Sequence, residues 1–116
     1  MKLYGIPNCD TVRKARRWLS DNGIQPIFHD FRKDGVDENQ LRAWIARVGW
    51  EALVNRRGAT WRQLPDTVKR QVTDAQAAIA LMRENPSVIK RPVLEADDVL
   101  QIGFDESAYQ ALLKQA

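Results

Sequence analysis

Cysteine is almost absent from this sequence, and that scarcity excludes whole classes of protein. One thiol, Cys9, and one histidine, His29, stand among 116 residues. A single cysteine cannot close an internal disulfide, and a structural zinc site takes about four such ligands; no metal is expected. Long apolar runs are also missing, and nothing approaches the ~20 consecutive apolar residues of a membrane span. Residues 1–6 read as a strand rather than as the apolar stretch of a leader peptide, which points to a cytoplasmic chain without membrane contact. No repeat, linker or low-complexity segment breaks the chain, and its length suits one compact domain over 1–116. A monomer is expected.

The composition is otherwise that of an ordinary globular protein, with 44% hydrophobic residues. The net charge is only +3, too little to suggest nucleic acid as a partner. The kind of base says more than the total, because 12 of the 18 positive residues are arginine. The planar guanidinium fork suits oxyanions and carboxylates. Trp18, Trp44, Trp50 and Trp61 mostly occupy amphipathic helix positions, where core packing is the better reading.

Periodicity sets the order of elements. Lys2–Ile6 alternates as a strand. Asn8 reads as an N-cap for a helix over 10–22 with Val12, Ala15 and Leu19 on one face, closed by Asn22-Gly23. Gln25–Phe31 reads as a second strand, with Ile27, His29 and Phe31 on one face and Phe28 on the other. A helix capped near Asp37 carries Leu41, Trp44, Ile45 and Val48. From about 50 to 86 only short helical pieces follow, the last capped by Thr73. "SVIKRPVLE" and "DVLQIGF" read as a hairpin turning at 96–98, and "DESAYQALLKQ" as a terminal helix with Asp105 or Glu106 near its start. The order predicts an α/β thioredoxin-like fold, a mixed sheet flanked by helices, with a helical insert over about 50–86.

Cys9 stands at a strand-to-helix turn. There the helix dipole and free backbone N–H groups favour a thiolate, which makes the sulfur a better nucleophile. Arg13 lies one turn on, where it opposes the dipole unless an anion sits beside it, and Thr11 offers a hydroxyl. Against this stands the bland reading of a lone cysteine as a small buried hydrophobe. Arg91-Pro92 begins a late apolar run, and a proline there suits an edge, a strand start or a tight connection. "NRRGATWRQL" crowds Arg56, Arg57 and Arg62 around Gly58, as a solvated loop or as part of an anion cradle. His29, among apolar neighbours on a strand, reads as structural.

Taken together, "YGIPNCDTVRKARRWL", "NRRGATWRQL", "NPSVIKRPVLE" and "QIGFDE" resemble the arsenate reductase (ArsC)/Spx family over about residues 2–114. They are most similar to its YffB-like branch of small thiol reductases that use glutathione. The resemblance implies that Cys9 is the catalytic cysteine, that Thr11 and Arg13 belong to a C-x-T-x-R pattern, and that Arg91-Pro92 is a substrate-binding arginine followed by a cis-proline. Asn8, Arg56 and Arg57 join these as candidates to stabilise thiolate or substrate. Asn55 and Phe104 stand where arsenate reductases of the family carry two oxyanion-binding arginines. Val12 stands where Spx-like regulators carry a second cysteine.

These residues imply a monothiol oxidoreductase. Cys9 would form a mixed disulfide with a disulfide substrate, and glutathione, as co-substrate, would resolve it. No bound cofactor is expected. Arsenate reduction coupled to glutathione and an Spx-like transcription adaptor without enzymatic activity are the alternatives.

Overall fold

The computed structural model describes residues 1–115. The chain runs β1 (Lys2–Gly5), α1 (Asp10–Asp21), β2 (Ile27–Asp30), α2 (Glu38–Val48), α3 (Trp50–Leu53), α4 (Ala59–Arg62), α5 (Asp66–Gln71), α6 (Ala75–Glu84), a short 3₁₀ turn (Pro86–Val88), β3 (Val93–Ala96), β4 (Val99–Ile102) and α7 (Glu106–Gln115). Two compact units divide it: Met1–Phe31 with Arg91 onward, and Arg32–Lys90.

The first unit carries a four-stranded sheet in the order β2-β1-β3-β4. β1 pairs parallel with β2 and antiparallel with β3, which turns back as β4. This is the mixed sheet of the α/β, thioredoxin-like fold that the element order predicts. Alternation along the strands sends Leu3 and Leu94 to one face, where Ala15 and Leu19 of α1 and Tyr109 of α7 bury them. Each such leucine contributes about 1.5–3 kcal/mol by leaving water. Phe28 joins this face, and Arg16 of α1 lies over its ring at 4.2 Å. The opposite face carries an aromatic trio: Tyr4 lies 5.0 Å from His29 and 6.0 Å from Phe31. The Tyr4 hydroxyl donates to Glu95 Oε1 at 3.1 Å. Burial, and then the charge of Glu95 and this bond to it, push the phenol up to about 12, so Tyr4 stays a donor.

The second unit is helical. Asp37 caps α2 by accepting the Gln40 N–H at 3.3 Å, and Gly49 ends it at φ +84°. Leu41 and Trp44 of α2, Leu53 of α3, and Ile79 and Met82 of α6 are buried. The unit spans a wider stretch than 50–86, because α2 groups with the later helices.

Three local expectations are corrected. The cap of α1 is Cys9, not Asn8, which sits exposed in the preceding turn. The cap of α6 is Asp74, not Thr73: its carboxylate accepts the Ala77 N–H at 2.9 Å, the three-residue reach that capping requires. "SVIK" is not a strand; it forms the 3₁₀ turn and an isolated bridge from Ile89 to Val54. β3 starts only at Val93, after Pro92, which has no N–H to give a ladder.

Gly5 fixes how closely β1 approaches α1. A Cβ there would lie 2.8 Å from Val12 Cγ2 and 3.2 Å from Cγ1. Val12 is fully buried and, being β-branched in a helix, has little rotamer freedom to give way. Gly5→Ala is therefore expected to cost about 1–3 kcal/mol by overpacking. A chemical denaturation series comparing the two proteins tests this, and an unchanged midpoint would refute it.

Candidate active site

The Cys9 turn is built by the elements on either side of it. The Cys9 N–H donates to the Ile6 carbonyl at 3.2 Å, and its own carbonyl accepts the Arg13 N–H at 2.9 Å, the first bond of α1. With φ −95° and ψ 127°, Cys9 has the extended geometry of an N-cap residue. Its side chain thus occupies the place from which serine or aspartate would accept the N–H groups of the second and third helical residues, here Thr11 and Val12. Sulfur as a neutral thiol is a weak acceptor, and no side-chain capping bond is formed. As a thiolate it is a strong one.

Several groups set the charge of the partly buried thiol. Burial pushes it up. The Val12 N–H, the Arg91 guanidinium through a hydrogen bond and through its charge, and the Thr11 N–H all push it down. The downward effects win, holding the thiol below its ordinary value. The cation beside the sulfur thus comes from far along the chain, at the residue before Pro92. The Arg91–Pro92 peptide bond is cis. Pro92 is buried, and its carbonyl accepts the N–H of Gly103 at 2.8 Å, tying the end of β4 to the Arg91 turn.

The other candidates fall in different places. Arg13 is ion-paired with Asp10, and both are exposed, so its guanidinium is engaged by a carboxylate of its own helix. Thr11 is exposed and acts on the sulfur through its backbone. Arg56 and Arg57 belong to the second unit, where Arg56 pairs with Glu51 at 3.2 Å and lies over the Trp50 ring at 5.4 Å, while Arg57 is exposed. Among the described residues no cluster of three or more His, Cys, Asp or Glu side chains is placed to hold a metal. Nor is any helix long and apolar enough to cross a membrane. One contribution is hidden in the sequence behind an apolar side chain, that of Val12, which reads there as part of the inward face of the first helix and as the place of an absent second cysteine. Its N–H is visible by counting three residues on from the true cap.

Residues 4–112 match the model of the ArsC family. The chain belongs to the ArsC family. Among solved structures of this family's kind it is similar to the protein named YffB, with a TM-score of 0.90 and 44% identity across 95% of this chain and 96% of that one. It is also similar to an arsenate reductase (ArsC) related protein from Brucella melitensis, with a TM-score of 0.76 and 48% identity over 97% of this chain and 93% of the other. The global transcriptional regulator Spx 1 of Lactococcus lactis is 28% identical over 113 residues, which cover 96% of this chain and 87% of the regulator.

Arg91 gives this ArsC-family site its clearest test. Arg91→Ala removes a charge-assisted hydrogen bond and a nearby positive charge from the thiolate. The pH profile of Cys9 alkylation is expected to inflect below that of an unperturbed thiol in the parent protein and to move upward in the variant. Coincident profiles would show that Arg91 does not act on the sulfur.

Proposed function

We propose that this protein is a monothiol oxidoreductase that reduces glutathione mixed disulfides. The observation that carries the reading is a lone, partly buried thiol at a helix N-cap, with Arg91 beside it and its ionisation favoured. The Cys9 thiolate attacks the glutathione sulfur of a mixed disulfide. A Cys9–glutathione disulfide forms, the original disulfide breaks, and the substrate leaves as a thiolate. A second glutathione, as thiolate, then attacks the sulfur of the bound glutathione, releasing oxidised glutathione and restoring the Cys9 thiolate. The two electrons come from glutathione, because the sequence holds no second cysteine to supply them. Arg91 stabilises the thiolate before attack and after release, and the substrate backbone lies alongside Pro92.

Mass measurement after incubation with oxidised glutathione tests this. A single adduct on Cys9, removed by reduced glutathione, is the expected result; no adduct at neutral pH would refute the mechanism. A second reading, an adaptor of the transcription machinery, is favoured by the similarity to Spx 1. It needs no thiol, so capture of RNA polymerase subunits by the Cys9→Ser protein would support it. Arsenate serves as the comparison substrate. With Asn55 and Phe104 standing where arsenate reductases of the family carry oxyanion-binding arginines, turnover of arsenate is expected to be slower than that of a mixed disulfide.

A further inference from the structure

An open groove of about 610 Å³ runs along α1 in the first unit, between Lys14, Arg17 and Trp18 on one wall and Phe104, Asp105 and Glu106 on the other, with Asp21 at its far end. Its charges are unusual in being opposite yet unjoined. Among the described residues, Lys14, Arg17 and Glu106 make no ion pair or side-chain hydrogen bond, and the Asp105 carboxylate accepts the Ser107 N–H at 3.2 Å. The cations and carboxylates that line the groove therefore stand farther apart than ion-pair distance. The aromatic residues of the two walls are braced by one ring: Trp18 and Phe104 both meet the buried Tyr109 ring edge-on, at 5.6 and 4.9 Å.

Such a groove suits a ligand that carries both charges. An acidic peptide or a nucleic acid would face the carboxylates of Asp21, Asp105 and Glu106; a basic one would face Lys14 and Arg17. A free amino-acid head answers both walls, with its carboxylate toward the cations, its ammonium toward the carboxylates and its methylenes over the rings. Both walls also lead back to the thiol. Helical spacing carries the Lys14 stripe one turn back to Thr11, whose N–H acts on the sulfur. Phe104 follows Gly103, whose N–H is bonded to the Pro92 carbonyl. The γ-linkage of glutathione leaves just such a head free at the end of the glutamyl residue.

We propose that this groove holds the γ-glutamyl head of glutathione, with its carboxylate on Lys14 and Arg17 and its ammonium on Glu106 and Asp105. This rests on the glutathione reading above and adds to it the subsite and the groups recognised.

The test separates binding from chemistry. The Cys9→Ser protein is titrated with glutathione, N-acetylglutathione and free glutamate, and the indole resonance of Trp18 and the amides of residues 104–107 are followed. Glutathione is expected to shift these signals, and N-acetylglutathione, which lacks the ammonium, to bind about tenfold more weakly. Lys14→Ala with Arg17→Ala is expected to weaken glutathione by about as much, while Lys14→Arg with Arg17→Lys retains binding. Glu106→Gln is expected to narrow the preference for glutathione over its N-acetyl form. Equal binding of the two forms, an unaffected Lys14→Ala, Arg17→Ala protein, or glutamate binding as tightly as the tripeptide would each overturn the proposal. In the parent protein, a Cys9 adduct forming equally fast with oxidised glutathione and oxidised N-acetylglutathione removes the groove assignment and leaves the reductase reading. Groove binding without any adduct does the reverse.

Discussion

Replacing Cys9 with serine is expected to abolish adduct formation and turnover of mixed disulfides while leaving the protein folded. The nucleophile is the thiolate, and a serine hydroxyl at the same place does not ionise in the accessible range. The fold is expected to tolerate the change because Cys9 is the N-cap of α1, a position serine favours. The serine oxygen accepts the helix N–H groups that the neutral thiol does not.

The same substitution separates the charge of the thiol from its packing. The folded state holds the Cys9 thiol below its ordinary value, through Val12, Arg91 and Thr11 acting against burial. A group depressed on folding stabilises the folded state fully above its unfolded value, and that stability is lost as pH falls through the folded value. The reduced parent protein is therefore expected to gain stability as pH rises through the window between the folded thiol value and the unfolded value of about 8.5. The Cys9→Ser protein is expected to lack that component. Denaturation midpoints of both proteins across the window test the assignment, and parallel curves would remove it.

Leu3→Ala is the second large effect. Leu3 is fully buried on the central strand β1, in one cluster with Ala15, Leu19, Leu94 and Tyr109. Truncation removes the transfer energy of the side chain and leaves a cavity bounded by two helices and two strands. A loss of about 2–5 kcal/mol is expected, a large part of the 5–15 kcal/mol typical of a folded domain. β1 runs into the turn that presents Cys9, so the position ties stability to the site. Urea denaturation measures the loss. At temperatures where the variant stays folded, its alkylation profile is expected to match the parent's, because none of the groups acting on the sulfur is removed. A loss below about 1 kcal/mol would mean that the core collapses into the space more readily than its packing implies.

Much of this is legible in the chain, and the reasons are local. Val12, Ala15 and Leu19 repeat at helical spacing, and all three are buried in α1. Asn22-Gly23 closes the helix as read, with Gly23 at φ +75°. Caps are less legible, because Asn8 and Cys9, or Thr73 and Asp74, are adjacent residues that can each serve. Only the backbone decides which side chain meets the N–H three residues on. In the Cys9 turn that one-residue difference matters to function, since it puts the sulfur at the N-cap position, where the helix N–H groups favour its thiolate form.

The sequence by itself determined that one thiol exists, that it stands at the start of the first helix, and that no second cysteine within the chain can resolve a mixed disulfide. Those are matters of count and spacing. Tertiary structure decided which cation faces the sulfur. Arg13, adjacent in sequence, turns to Asp10, while Arg91 is brought in by the antiparallel pairing of β3 with β1 and the bond that ties Pro92 to Gly103. Strand pairing joins residues that are distant along the chain, and no local pattern records it.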